Sequence, residues 1–156
     1  MGNRAVIATE KKDFGVYLHW NGGRDSVEAF LLYCRLRGFR PPEEDNYGWA
    51  RLCQVLGNFF GKDGSSVGIG PYGEMDTDNY DNGVYVIRDW RVVGREYKRG
   101  FEQTSGASLL QLLADVNRAQ PEAQRLTYEE LYKGSEDAGP ETHQFFRVPD
   151  HGHTCQ

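Results

Sequence analysis

Gly15-Val16-Tyr17-Leu18-His19-Trp20-Asn21-Gly22-Gly23-Arg24-Asp25-Ser26-Val27-Glu28-Ala29-Phe30 changes its hydrophobic period halfway along, and that change decides the fold. Up to Trp20, the apolar Val16, Leu18 and Trp20 alternate with Tyr17 and His19, the period of a half-buried strand. From Asp25 to about Gly38 the spacing becomes helical, with Val27, Phe30, Leu31 and Cys34 on one stripe. A glycine-rich turn joins the two. Adjacent glycines let a ligand approach the backbone with no Cβ in the way, and the first amides of the helix lack intrahelical acceptors. Arg24 adds a forked cation where the helix presents the positive end of its macrodipole, which is the makeup of a phosphate or pyrophosphate site. The plainer reading is a tight turn capped by Asp25, with Glu28 closing a capping box. The two are compatible.

Before this stretch, Arg4 to Thr9 reads as a second strand, and the charged segment 10–13 makes an antiparallel hairpin with it. His19 has no carboxylate in motif spacing and reads as a strand-surface histidine. After the first helix, Pro41-Pro42 blocks continuation, and Asp45 or Asn46 caps a second helix to about Phe60. Its wide stripe of Trp49, Leu52, Cys53, Val55, Leu56, Phe59 and Phe60 predicts burial on two sides, with Arg51 on the other face. Ser65 to Ile69 is a short strand, and Gly70 to Gly73 a turn that leaves Tyr72 poorly buried.

Asp76 to Gly83 has the look of a calcium loop, but Tyr80 and Asp81 stand where a ligand and a glycine are required. Asn82-Gly83 reads instead as a turn with positive φ leading into a strand from Val84 to Trp90. Arg91 to Tyr97 extends or pairs with that strand, and Lys98-Arg99 forms a small basic cluster. Ser105 or Ser108 starts a helix to about Ala119, and Pro121 opens a shorter one ending near Gly134. Ser135 to Gln156 reads as a mobile polar tail, whose His143, His151, His153 and Cys155 match no zinc module. The expectation is an α+β domain over residues 1–134, followed by the tail 135–156. Its antiparallel sheet packs with two central helices and a C-terminal helical segment.

A formal charge of -5 on 156 residues excludes a broad nucleic-acid face, but leaves room for a small anion held by a few local arginines. Three cysteines without paired spacing read as reduced thiols, which places the protein in the cytoplasm. No apolar run is long enough to span a membrane, and the first residues lack a signal-peptide core. No nucleophile motif stands out, so no catalytic residue, metal or cofactor is expected.

Gly2 to Ile7, Tyr17 to Phe30, Tyr47-Gly48-Trp49-Ala50-Arg51 and Asp81 to Ile87 together resemble the first family of phage Thoeris anti-defence proteins, over roughly residues 1–113. The resemblance implies a sponge for cyclic ADP-ribose isomers, the signals made by bacterial TIR enzymes, held without cleavage between the protomers of a dimer. Some members form larger assemblies that also hold cyclic oligonucleotides at a second site. It further implies that Arg24 pairs with the pyrophosphate, Tyr72 stacks on the base, Asn82 hydrogen-bonds base or ribose, and Arg99 adds a cationic contact. Trp20, Gly22 and Gly23 would complete the site, and Arg51 would serve the oligonucleotide site.

Two other classes compete. Asn21 to Ser26 resembles the Ser-Gly-Gly-x-Asp-Ser loop of ATP pyrophosphatases, departing at its first residue and followed by two helices in succession. An aromatic fraction of 13% also suits a direct protein inhibitor of a bacterial defence enzyme.

Overall fold

Strand pairing around β1 (Ala5–Thr9) organises the molecule. The computed structural model describes residues 2–61, 66–97, 104–138 and 147–149. Every residue of β1 is buried, because strands flank it on both sides and both of its faces are covered. β2 (Phe14–Leu18) pairs with it antiparallel through Ala5↔Leu18 and Ile7↔Val16, as the hairpin reading requires. On its other side lies β4 (Val84–Arg88), in parallel register with Ile7 opposite Tyr85. β3 (Val67–Pro71) adds antiparallel to β2, and β5 (Arg91–Tyr97) antiparallel to β4. The three-residue β6 (Arg147–Pro149) adds parallel to β5, giving the order β3-β2-β1-β4-β5-β6.

The domain is α+β, but the sheet is mixed where an antiparallel one was expected. Returning from β2 to β4 takes two helices and β3, long enough for the parallel crossover that a tight hairpin cannot make.

Alternation sends Ala5, Ile7, Val16, Leu18, Tyr85 and Ile87 to the face that meets the helices. Val6, Ala8, Val84 and Val86 go to the other, where Tyr72, Met75 and Val93 cover them. α1 (Arg24–Leu36) is the central helix, buried at every residue from Ser26 to Cys34 because it touches β5, α2, α3 and α4. α2 (Asn46–Phe60), whose wide stripe was read as buried on two sides, touches α1, α3 and β3, buries Trp49, Leu52, Val55 and Leu56, and keeps an exposed face that carries Arg51. α2 starts as read, with the Asp45 side chain accepting from the Tyr47 amide at 2.9 Å.

α3 (Leu109–Arg118) is capped by Ser108, which accepts from the Gln111 amide at 3.1 Å. α4 (Tyr128–Ala138) opens on a reciprocal capping box. The Glu130 carboxylate accepts from the Thr127 amide at 2.8 Å, and Thr127 Oγ1 accepts from the Glu130 amide at 3.1 Å. Pro121 precedes only a turn of 3-10 helix, Glu122–Gln124. Gly134 does not stop α4; it lies inside it, because a Cβ there would sit 2.5 Å from Leu36 Cδ1. The last turn of α4 and β6 both lie within the stretch expected to be a tail.

The β4–β5 hairpin turns at Asp89 and Trp90, with φ of 53° and 60°, so the strand ends two residues before the expected Trp90. Two left-handed residues fit the twist of a two-residue hairpin but cost strain without glycine. Anchoring offsets that cost: the Trp90 side chain is buried, its Nε1 donates to the Phe39 carbonyl at 2.8 Å, and the Asp89 amide donates to Glu43 at 2.8 Å.

Candidate functional site

The turn between β2 and α1 is built from the inside. Asn21 takes a positive φ of 57°, and the Gly22 amide then donates to the Asn3 carbonyl at 2.8 Å. A Cβ on Gly22 would lie 2.5 Å from that same carbonyl and 2.8 Å from Ala5 Cβ. The missing side chain thus admits the start of β1, whereas the sequence reading reserved that space for a ligand. The Gly22 carbonyl accepts the Tyr85 hydroxyl at 2.7 Å.

Gly23, extended at φ -66° and ψ 156°, is the helix N-cap, and its carbonyl accepts from the Val27 amide at 3.0 Å. The expected cap, Asp25, is displaced into the first turn because the helix starts at Arg24. Its Oδ1 accepts from the Ser26 amide at 2.7 Å, and its Oδ2 takes both the amide (2.7 Å) and the hydroxyl (2.8 Å) of Ser105. Glu28 closes no capping box; it is buried beside Leu31, Leu32, Arg35 and Trp90 around a small cavity of about 120 Å³.

Asp25 thereby ties the segment before α3 to the α1 N-terminus, and a depression of about 490 Å³ opens there. It is lined by Gly2, Asn3, Trp20, Asn21, Ser26, Thr104 and Ser105. None of these side chains is charged. Trp20 is 46% exposed, and its ring is braced edge-on by His19 at 5.1 Å. His19 Nδ1 lies 2.9 Å from the Tyr17 hydroxyl, so the indole stands on a fixed support. Burial pushes the Tyr17 phenol above its ordinary pKa.

The expected site residues divide. Trp20 lines the depression; Gly22, Gly23 and Arg24 follow it in the chain but are not among the described lining residues, and Arg24, half-buried, opens the helix. Asn82 belongs to the same end of the sheet but is fully buried. Its Nδ2 donates to Asn3 Oδ1 at 2.6 Å and to the Arg4 carbonyl at 3.0 Å, so Asn3 links it to the depression. Its φ is not positive either; Tyr80 (64°) and Gly83 (66°) supply the left-handed residues of that loop.

Tyr72 lies at the opposite end of β2. Its amide donates to the Asp13 carbonyl at 3.2 Å, and Lys12 Nζ stands 5.8 Å from its ring centroid. At the rise of an extended chain, Asp13 and Trp20 are about 20 Å apart. Tyr72 and Trp20 of one protomer therefore do not meet on one small ligand. Arg51 is exposed on α2, bonded to Gln54 Oε1 at 3.3 Å with its guanidinium 5.7 Å from the Phe39 ring. Arg99 lies outside the described residues.

Sequence reading missed the supports. Asn79, 1% exposed, organises the loop expected to turn at Asn82: its Oδ1 accepts from the Asp81 and Gly83 amides, and its Nδ2 donates to the Asp76 and Gly83 carbonyls. An asparagine bonding the amide two residues on is the signal that was there to find. Asp81 Oδ2 accepts from the amide of Arg4 at 3.0 Å and its Nε at 2.7 Å, a pairing that raises the pKa of Arg4. Arg95, 2% exposed, donates to the Asn82 carbonyl at 2.9 Å and stacks 4.0 Å above the Tyr85 ring.

Among the described residues, no three of His, Cys, Asp and Glu stand close enough to hold a metal ion. The histidines of the expected tail and Cys155 lie outside those residues. No helix among the described residues is long and apolar enough to cross a membrane. No family model, curated protein or solved structure matches this chain.

Proposed function

We propose that the chain captures a cyclic ADP-ribose isomer in the bacterial cytoplasm and keeps it intact, depriving a defence effector of its signal. The observation that carries this reading is the half-exposed Trp20 indole beside the α1 N-terminus, in a depression lined by hydroxyls and amides. An adenine stacks on the indole. The pyrophosphate meets the positive end of the helix and the Arg24 guanidinium. Ser26, Thr104, Ser105, Asn3 and Asn21 are the kind of donors and acceptors that ribose hydroxyls take. Among the described residues of the lining none carries a carboxylate or imidazole, the side chains expected of a general base, and the reading is of binding without turnover. With the Gly22 amide bonded to Asn3, the phosphate-loop enzyme reading lacks its first loop donor. Tyr72 contributes through a second protomer, as in a ligand held between two copies.

The test is to incubate the purified protein with a cyclic ADP-ribose isomer, remove unbound material, denature by heat and identify what is released. Intact nucleotide supports the sponge, altered nucleotide supports an enzyme, and none leaves direct protein inhibition. Trp20→Ala should weaken capture by about tenfold or more, the scale of one lost base stack. Arg24→Ala should do at least as much through its charge-assisted contacts. Undiminished affinity in both variants removes this depression from the proposal.

A further inference from the structure

A second concavity lies at the far end of the sheet, on the helix side, and its chemistry is opposite. It measures about 880 Å³ and runs between the β1–β2 turn and the connection from α1 to α2. Phe14, Trp49, Ile69 and Ile87 form its apolar part, with Phe14 and Trp49 in edge contact at 5.6 Å. Ile69, on the outermost strand β3, is 50% exposed. Glu10 and Asp13 come from one side and Glu43, Glu44 and Asp45 from the other, against Lys11 as the one cation among the described residues of the lining.

Some of that charge is compensated: Glu10 pairs with Arg88 at 3.1 Å, Asp13 with Lys11 at 3.4 Å, and Asp45 with Arg40 at 2.9 Å. Glu43 accepts only a backbone amide, from Asp89, and among the described residues no cation pairs with Glu43 or Glu44. A negative rim around an apolar floor repels a nucleotide and attracts a cation.

We infer that this groove docks a basic segment of a partner protein, one that carries an apolar side chain between its cations. The two parts of the lining ask for different groups on the same molecule. Carboxylates from two chain segments steer and align arginines or lysines, and the exposed Ile69 with Phe14 and Trp49 takes the apolar side chain that anchors it. A free polyamine answers the rim and leaves the floor uncovered. Among the described residues the groove shares none of its lining with the Trp20 depression, so a basic partner and an anionic ligand can be held together.

The experiment uses the full chain and a fluorescently labelled peptide of alternating Arg and Leu, followed by anisotropy. Saturable binding is expected, weakened about tenfold by replacing every Leu with Ser and about tenfold by the double reversal Glu43→Lys with Glu44→Lys. Glu43→Gln with Glu44→Gln, which keeps an acceptor for the Asp89 amide, should weaken it less but measurably and covers the case in which the reversal does not fold. Ile69→Ser should weaken the Arg-Leu peptide and leave the Arg-Ser peptide unchanged. Equal binding of the Arg-Ser peptide or of spermine, indifference to both charge variants, or no saturable binding overturns the inference. Nucleotide capture should be the same in all these variants.

Discussion

The Tyr85 hydroxyl donates to the Gly22 carbonyl at 2.7 Å, so a strand in the middle of the sheet fixes the turn where the candidate site begins. The same ring carries the Arg95 guanidinium on its face, and Arg95 holds the Asn82 carbonyl. One buried column thus supports both the glycine turn and the loop before β4. Tyr85→Phe keeps the ring under Arg95 and removes only the hydroxyl, leaving the Gly22 carbonyl without its donor. The expected loss is about 1–2 kcal/mol in urea unfolding, the cost of one unsatisfied buried acceptor. No change in the unfolding midpoint would mean that water takes the place of the hydroxyl and the column does not hold the turn.

Gly22→Ala tests whether that glycine serves the fold. Its Cβ would press on the backbone carbonyl of Asn3 and on Ala5 Cβ, neither of them the movable end of a side chain. The turn must shift away from β1, at about 1–3 kcal/mol for overpacking. The loss should appear in thermal unfolding without any nucleotide present. A variant as stable as the parent, with lost nucleotide capture, would return Gly22 to the ligand-contact role that the sequence suggested.

Local signals in the sequence were reliable where one residue answers its own neighbours. Asp45 and Ser108 cap the helices they precede, and the switch of period at Trp20 marks β2 and α1. What could not be read was set by partners distant in the chain. Asp25 looks like a cap, and became a tether because Ser105 lies within its reach. Arg95, which nothing in its own neighbourhood singles out, is buried because Tyr85 offers it a ring and Asn82 a carbonyl. Arg24 and Tyr72 look convergent in a list of polar residues, but the length of β2 holds their ends of the sheet apart. The parallel pairing of β1 with β4 has no local signature, since it follows from which strand the long connection returns to.

Stability should fall in alkali. Cys34 is fully buried, and burial pushes its thiol well above the ordinary thiol range; Tyr33 beside it in sequence is also raised, chiefly by burial. Both groups bind their proton more tightly folded than unfolded, so above the unfolded thiol pKa, about 8.5, the unfolded chain holds fewer protons. Their contribution is complete below that pH and is lost progressively above it. Urea unfolding between neutral pH and pH 10 should show a falling midpoint, less steeply in Cys34→Ala after allowance for its lower starting stability. Rapid alkylation of Cys34 in the native protein near pH 8 would contradict the burial on which this rests.

Gly134 and Leu36 should behave as a coupled pair. In Gly134→Ala the new methyl meets Leu36 Cδ1 at 2.5 Å and Cδ2 at 2.8 Å, but these are the ends of a half-buried side chain that can turn aside. Helix propensity gains about 1 kcal/mol from the exchange, while displacement of Leu36 costs about 1–3 kcal/mol, so the net effect should be a small destabilisation. Leu36→Ala alone opens space between α1 and α4 and should cost about 2 kcal/mol. Together the alanine at 134 occupies part of the vacated volume and recovers its helix propensity without a clash. The double variant should therefore be more stable than the sum of the single effects predicts, by about 1 kcal/mol in a double-mutant cycle on chemical unfolding. Strict additivity would show that α4 does not pack on α1 through this contact, and would separate the C-terminal helix from the central helix it is seen to cover.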